Sequence, residues 1–355
     1  MKLLLLAGEE SGLAYAREIA EGVRAVDDSA EIRGYSDYGF ETADLAVFGF
    51  WEVIKRIFFF MRVERTMKKA IDEWRPDAVC TVDYPGMNLR LAAYAKKKGI
   101  KSVHVVCPQV WAWKSGRIPK IESSVDRLMC FFPFEPGLFK PGFAEFIGHP
   151  LAGKIRPGNA AGISGSETLA VLPGSRIGEI EKILPVLLEA LEELSFGEAV
   201  IPAANAKARA AIDRIVERFD RDRIKVVDGG ARDLLRRADC AVVASGTATL
   251  EAALARCPTL LVYRVGMLLG WFARMVVKGV RHVGLANIIA EKSGIPCPMP
   301  ELLQEDFTLA NVRRILGAWL ADPDARRAES EKLDRTMELL GNGGDAMERV
   351  VRFLV

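Results

Sequence analysis

The chain has 355 residues, half of them hydrophobic and 27% charged, so it can bury two cores of ordinary domain size. A formal net charge of +2 argues against a protein that binds nucleic acid through bulk charge. The six cysteines show no CxxC spacing and there are only three histidines, so we expect reduced core thiols rather than disulfides or a metal centre.

The first half of the chain alternates short apolar runs with amphipathic stretches. Its opening run, residues 3–7, is too short for a signal sequence, and no apolar stretch approaches the ~20 residues of a membrane span. Strands that alternate with helices predict βαβ units around a parallel sheet. The predicted strands are 3–7, 78–82, 102–106 and 128–131, and the predicted helices are 13–26 and 89–98.

The same rhythm restarts after a Gly-, Asn- and Ser-containing segment at 153–166, which predicts a linker. Here the predicted strands are 168–172, 199–201, 224–227, 240–243 and 259–262, and the helices are 177–194, 206–219 and 247–255. Helices without strands follow from residue 312. We therefore predict an α/β protein of two Rossmann-like domains, residues 1–155 and 165–335, that binds ligands in a cleft at the carboxyl ends of its strands.

One strand–helix turn of the second domain has the composition of an anion site. Gly174 permits a tight turn, and backbone N–H groups around Ser175 lie at a helix start, where anions are stabilised. Arg176 adds a guanidinium that binds phosphate through charged hydrogen bonds. Taken alone, an ordinary turn with a solvated arginine explains these residues equally well.

A second turn of this kind follows three strands later. Ser245, Gly246 and Thr247 are small, which lets a ligand approach the backbone at the start of the next helix. Glu251 lies about one turn into that helix, where a carboxylate can accept hydrogen bonds from two ribose hydroxyls. The competing interpretation is a helix capped by Ser245 or Thr247, with Glu251 near its positive end. Two such turns in one domain favour a nucleotide diphosphate site.

Polar residues also follow two predicted strands of the first domain. Asp83 comes after the strand at 78–82, where a carboxylate can take the proton of an attacking sugar hydroxyl. An Asx turn or helix cap accounts for Asp83 nearly as well. Glu9 and Ser11 follow the first strand, and because two glutamates there oppose an anion, we interpret this turn as facing an acceptor, together with Asn88.

Two segments, 50–74 and 266–281, combine apolar and basic residues. As helices, the first has a core-packing face beside a second apolar arc, and the second is apolar nearly all round except for a basic stripe. This composition suits an anionic membrane surface or a groove for acyl chains, although burial between domains or in a dimer explains it equally well. The residues concerned are Ile54, Ile57, Phe58 and Met61 in the apolar arc, and Arg274, Lys278 and Arg281 in the stripe.

Taken in order, these motifs resemble lipid-A-disaccharide synthase, a family of inverting glycosyltransferases. The likeness runs from residue 3 to about 305, and the spacing of its motifs makes it specific. They are GEESG at 8–12, GFWEV at 49–53, VWAWK at 110–114, FIGHP at 146–150, LPGSR at 172–176, ASGTATLEA at 244–252, YR at 263–264, NIIA at 287–290 and PELLQ at 300–304.

The resemblance implies the GT-B fold, two Rossmann-like domains facing each other across a cleft, with a C-terminal helix at about 340–355 returning to the first. It implies transfer of a sugar from UDP-2,3-diacylglucosamine to the 6-hydroxyl of 2,3-diacylglucosamine 1-phosphate, with release of UDP. Asp83 matches the position proposed as general base, and Tyr263 and Asn287 match donor-side positions. The resemblance further implies no metal or other cofactor, homodimers, and work at the cytoplasmic face of the inner membrane.

Two departures from the family pattern fall on the acceptor side. The first turn normally continues Ser-Gly-Asp, whereas Leu13 follows Gly12 here, and the segment 32–37 lacks a Gly-Gly found in the family. They predict an altered acceptor preference. Two other functions fit the donor motifs: a soluble UDP-sugar epimerase or hydrolase, and a UDP-sugar-binding relative with reduced catalysis.

Overall fold

The computed structural model describes residues 1–45, 56–112, 115–158, 168–219, 222–264, 281–341 and 343–355. The chain divides into two compact units. Unit 1 comprises Met1–Pro150 and Asn342–Val355, and unit 2 comprises Leu151–Gly341. The boundary lies a few residues before the predicted linker at 153–166, of which residues 159–167 fall outside the described part.

Unit 1 is built on a six-stranded parallel sheet in the order β2-β1-β3-β4-β5-β6. Its central strands are nearly continuous apolar runs, as expected of strands covered on both faces. The order in which successive strands are added to the sheet reverses between β1 and β3, so this is where a ligand site is expected. The strands are β1 (Lys2–Ala7), β2 (Glu31–Arg33), β3 (Ala78–Val82), β4 (Lys101–Val105), β5 (Arg127–Cys130) and β6 (Ala144–Phe146).

Helices cover both faces of this sheet. Leu3 and Leu5 of β1 point to one face and Leu4 and Leu6 to the other, because side chains alternate along a strand. The first face packs against α1 (Glu10–Val26) and the C-terminal helix Ala346–Leu354, and the second against α3 (Ile57–Trp74) and α4 (Pro85–Lys97). The other helices of unit 1 are α2 (Thr42–Leu45) and α5 (Ile118–Ser124).

The C-terminal helix fits closely against α1. A Cβ atom at Gly22 would lie only 2.8 Å from Cγ2 of Val351, so α1 has a glycine where the two helices approach most tightly. Lys101 Nζ donates hydrogen bonds to the carbonyl oxygens of Phe353 and Leu354 at 3.1 and 3.2 Å, which satisfies the exposed end of this helix. The structure thus places residues 346–354 within unit 1.

Unit 2 has a second six-stranded parallel sheet, in the order β12-β11-β10-β7-β8-β9. With β7 numbered 1 and the sheet read from the β9 edge, this is the doubly wound order 3-2-1-4-5-6, and the order of strand addition reverses between β7 and β10. The strands are β7 (Thr168–Leu172), β8 (Glu198–Ala203), β9 (Ile224–Asp228), β10 (Cys240–Ala244), β11 (Thr259–Tyr263) and β12 (Glu301–Leu303).

The helices of unit 2 begin after a short helix at the boundary between the units, α6 (Pro150–Lys154). None of the described helices of either unit is long and apolar enough to cross a bilayer. The remaining helices are α7 (Ile177–Leu191), α8 (Ala206–Val216), α9 (Ala231–Arg237), α10 (Thr247–Leu254), α11 (Leu285–Lys292), α12 (Leu309–Ala321) and α13 (Pro323–Glu338). Short 3₁₀ turns occur at Ser36–Tyr38, Ser115–Arg117, Pro136–Leu138 and Gln304–Asp306.

Candidate functional site

A cavity of about 380 Å³ opens in unit 2 at the carboxyl ends of β7, β8 and β10, where the order of the strands in the sheet reverses. Its volume lies in the range of small-ligand sites. Seven of the nine residues predicted for the donor line it: Gly174, Ser175, Arg176, Ser245, Gly246, Thr247 and Glu251. The structure therefore brings the two predicted turns together around one space, although binding by these residues stays a prediction.

Two glycine-containing turns line this cavity. Gly174 has φ of +109° and Gly246 has φ of +152°, conformations that side-chain-bearing residues rarely adopt. The helices α7 and α10 begin directly after these turns, and neither has a side-chain cap at its first residue. The interpretation of Ser245 or Thr247 as an N-cap is thus wrong, since Gly246 occupies that position. Helix starts without a side-chain cap, next to turns that line a cavity, suit an anion.

The charged side chains of the cavity are held in pairs. Nη1 of Arg176 lies 2.8 Å from Oε1 of Glu179, and Nε of Arg232 lies 2.8 Å from Oε1 of Glu251. In both pairs the arginine is largely exposed and the carboxylate is nearly buried. Sequence reasoning missed Glu179 and Arg232. The spacing of Glu179 three residues after Arg176 on a helix is the one signal that could have indicated its contact.

The two remaining donor candidates, Tyr263 and Asn287, are not among the residues that line the cavity. Burial raises the pKa of Tyr263, the Glu179 carboxylate raises it further and Arg176 lowers it, so Tyr263 lies near that ion pair. Asn287 is fully buried, donates to Met299 O and to Glu301 Oε1 at 2.8 Å each, and accepts from Met299 N. Asn287 thus joins α11 to the segment before β12, and its contact with the donor stays a prediction.

In unit 1, Asp83 occupies a strained turn at the end of β3. Asp83 and the following Tyr84 have φ of +51° and +50°, a conformation that costs free energy in residues other than glycine. The Asp83 carboxylate accepts a hydrogen bond from Tyr84 N at 2.8 Å, and the ring of Tyr84 fills the space beside Gly8, where a Cβ atom would lie 2.4 Å from Cδ1. Such strain is typical of functional positions.

Asn88 stabilises this turn through hydrogen bonds to the backbone at the ends of β1 and β3. Its Nδ2 donates to the carbonyl oxygens of Leu6, Val82 and Asp83, and its Oδ1 accepts from the Tyr35 hydroxyl at 2.7 Å. Asn88 is fully buried, and its side chain bonds to the backbone at the ends of two strands and so supports Asp83. Its contact with an acceptor stays a prediction.

Two carboxyl groups meet at the reversal point of the unit 1 sheet. Burial raises the pKa of Asp83, with the hydrogen bond from Tyr84 N acting in the opposite direction. Burial also raises the pKa of Glu9, which ends the loop after β1, and the charge of Asp83 raises it further. The two predicted residues therefore lie close together. Ser11 is in the first turn of α1, and its side chain lies outside the described part.

The first turns of α3 carry an exposed apolar surface. Ile57, Phe58 and Met61 are 49%, 81% and 53% exposed, whereas Val63, Met67, Ala70 and Ile71 pack in the core. Arg62 and Arg65 are exposed beside them. This division matches the predicted two arcs. Ile54 lies outside the described residues, as do Arg274 and Lys278, while Arg281 is exposed and its backbone N donates to Glu291.

All six cysteines are free and five of them are buried, as expected of reduced core thiols, and two of them lie beside a buried glutamate. The potential ligand atoms of Cys107, Cys130 and Glu135 lie within 4.8 Å of one another in the core of unit 1, and burial raises the pKa of Glu135 to about 8. Hydrogen bonds from Trp111 Nε1 and Phe132 N, both 3.1 Å, already serve the carboxylate. A structural zinc site takes four ligands and the described residues bring three, so we assign no metal.

Comparison with known proteins places the chain in a family. The sequence model of a family described as lipid-A-disaccharide synthetase matches residues 3–350. The chain belongs to this family. A lipid-A-disaccharide synthase of Syntrophus aciditrophicus strain SB is 33% identical over 379 residues, covering 99% of this chain and 97% of that protein. One from Anaeromyxobacter dehalogenans strain 2CP-1 is 39% identical over 318 residues, covering 85% and 81%.

Solved structures identify the fold of this family member as GT-B. The calicheamicin glycosyltransferase CalG4 matches with a TM-score of 0.60 at 15% identity, over 99% of this chain and 98% of that one. MurG of Acinetobacter baumannii matches with a TM-score of 0.59 at 12% identity, over 99% of both chains. UDP-GlcNAc 2-epimerase from Neisseria meningitidis, bound to UDP-GlcNAc, gives 0.59 at 12%, over 100% and 99%. At these identities the likeness concerns the fold alone.

Proposed function

We propose that the chain transfers diacylglucosamine from UDP-2,3-diacylglucosamine to 2,3-diacylglucosamine 1-phosphate, forming the β-1,6-linked lipid A disaccharide 1-phosphate and UDP. The observation that carries the donor half is the single cavity that gathers Gly174, Arg176, Gly246 and Glu251 from two separate turns. Membership of the lipid-A-disaccharide synthetase family supports the choice of substrates.

In the donor half, the first turns of α7 and α10 bind the diphosphate through backbone N–H groups. Arg176 donates charged hydrogen bonds to the phosphate oxygens, whose negative charge grows as the bond to the sugar breaks. Glu251 accepts hydrogen bonds from the ribose. The proposal includes no metal, because helix starts and a guanidinium supply the positive potential that the leaving group requires.

In the acceptor half, Asp83 acts as the general base. Its carboxylate takes the proton of the acceptor 6-hydroxyl while that oxygen attacks the anomeric carbon of the donor, and the bond from this carbon to UDP breaks on the opposite side. The configuration at the anomeric carbon is therefore inverted. Burial, which raises the pKa of Asp83, makes it a stronger base than an exposed aspartate. Asn88 and Tyr84 hold it in place.

Both sugars carry acyl chains, so we propose that the enzyme works at the cytoplasmic face of the inner membrane. The exposed Ile57, Phe58 and Met61 would enter the interface, and Arg62 and Arg65 would face anionic head groups. We also propose that the chain forms a homodimer, because the family resemblance implies one.

The test is a reaction of the purified chain with both acylated substrates, followed by mass spectrometry of the lipid product and by assay of UDP. We expect a disaccharide phosphate that forms only when donor and acceptor are both present. Asp83→Asn should abolish it, while Asp44→Asn, which changes an exposed carboxyl of the same unit, should not. UDP release that is independent of the acceptor would instead identify a hydrolase, and conversion of the donor sugar without transfer an epimerase.

A further inference from the structure

The carboxylate that we assign to the ribose, that of Glu251, forms an ion pair with an arginine. Arg232 is the second residue of α9, and its Nε lies 2.8 Å from Oε1 of Glu251 on α10. The Glu251 side chain is 14% exposed and lines the cavity, as does Ala231 next to Arg232. The pair thus joins two helices whose first residues, Ala231 and Thr247, both belong to the cavity wall.

This contact affects how Glu251 can meet a ligand. A glutamate has three side-chain torsions, and holding them in one arrangement costs conformational entropy that a bound ligand would otherwise have to supply. Arg232 fixes the position of Oε1 and so limits the arrangements of the second oxygen. It also offsets the negative charge of Glu251, which would otherwise oppose a diphosphate bound in the same cavity.

We propose that Arg232 is a positioning residue that orients Glu251 toward the ribose hydroxyls, and that it thereby makes the site select a ribonucleoside diphosphate over its 2′-deoxy form. This inference rests on the proposed function, because it requires that the cavity take UDP. A fixed carboxylate that accepts hydrogen bonds from two ribose hydroxyls binds a ribonucleotide more strongly than its 2′-deoxy form. The deoxy form lacks one hydroxyl and so leaves a nearly buried acceptor unpaired.

A purely structural role makes a different prediction. An ion pair between two helices, with an arginine that is 54% exposed, contributes little to stability. Its loss would shift the melting temperature slightly and would weaken every nucleotide by the same factor. The ratio of the two affinities therefore separates positioning from packing.

The experiment measures dissociation constants of UDP and 2′-deoxy-UDP by calorimetry on the full chain. We expect the unmodified protein to prefer UDP by about 10-fold or more, as loss of a hydrogen bond to a charged group implies. Arg232→Ala should reduce that preference to within about 3-fold, and Arg232→Lys should restore part of it. Arg236→Ala is the matched control, because Arg236 is an exposed cation of the same helix that pairs with Asp233.

A double-mutant cycle completes the test. In a Glu251→Gln background, Arg232→Ala should have no further effect on the preference, because both changes act through the same carboxylate. An Arg232→Ala protein that keeps the preference, or that loses affinity equally for both nucleotides, would overturn the inference, as would a Glu251→Gln protein that discriminates normally. If the unmodified protein binds neither nucleotide, the proposed function itself fails.

Discussion

Removal of the Arg176 guanidinium is the sharpest test of the donor cavity. The side chain is 69% exposed, so Arg176→Ala should cost under about 1 kcal/mol of folding free energy. Its effect on catalysis should be far larger. Loss of one preorganised donor to developing negative charge typically lowers kcat by about 100- to 1000-fold, which is about 2.7–4 kcal/mol of transition-state stabilisation.

The structure adds a second contribution. Without Arg176, the Glu179 carboxylate remains in the cavity wall, only 16% exposed and without the partner at 2.8 Å. Its charge then opposes the diphosphate. The double variant Arg176→Ala/Glu179→Gln should therefore recover about fivefold of the lost rate, or about 1 kcal/mol, the interaction of partly exposed like charges.

The assay is steady-state UDP release with both acylated substrates, together with melting temperatures by circular dichroism. Lys182→Ala serves as the control, because Lys182 is an exposed cation on the same helix, α7. A full rate in Arg176→Ala, or a double variant slower than the single one, would refute the assignment of this cavity to the diphosphate.

Three other perturbations test separate parts of the molecule. Since burial raises the pKa of Asp83 and a base must be ionised, activity should rise with pH through a pKa above that of an ordinary aspartate. Asp83→Asn should raise the melting temperature at pH 7, because the folded state favours the uncharged form of this side chain. Gly174→Ala, at φ +109° and with 2.7 Å from the new Cβ to Glu179 Oε2, should lower stability by about 1–3 kcal/mol and weaken UDP binding in calorimetry. Phe58→Ser with Met61→Ser should abolish sedimentation with anionic liposomes while leaving UDP affinity unchanged; unaltered sedimentation would contradict the membrane surface.

Central strands could be read from the sequence because burial on both faces demands continuous apolar residues, as in β3 and β10. Three of the four edge strands, β2, β6 and β12, could not, since each has only three residues and carries no such run. The turns around Gly174 and Gly246 were predictable from local composition. Their convergence on one cavity depends on sheet order, which the motifs do not specify.

Side-chain partners across long separations were out of reach for the same reason. Arg232 and Glu251 are 19 residues apart, and they meet because α9 and α10 flank the strand β10. Asn88 and Asn287 look like surface polar groups in a linear sequence. Only the folded chain shows that each hydrogen bonds to main-chain atoms from another element, 82 residues away for Leu6 and 12 for Met299. These hydrogen bonds to buried backbone groups depend on the arrangement of the elements, which the motifs do not specify.

The return of the C-terminal helix to α1 has a consequence for biosynthesis. A ribosome makes residues 346–354 only after the whole of unit 2. The face of α1 that includes Ile19 and Val23 therefore stays exposed while residues 151–341 are translated. Unit 2 is one uninterrupted stretch and can mature first. An exposed apolar face on a nascent chain can bind chaperones or self-associate. Folding of unit 1 is therefore completed only after the C-terminal helix has been synthesised.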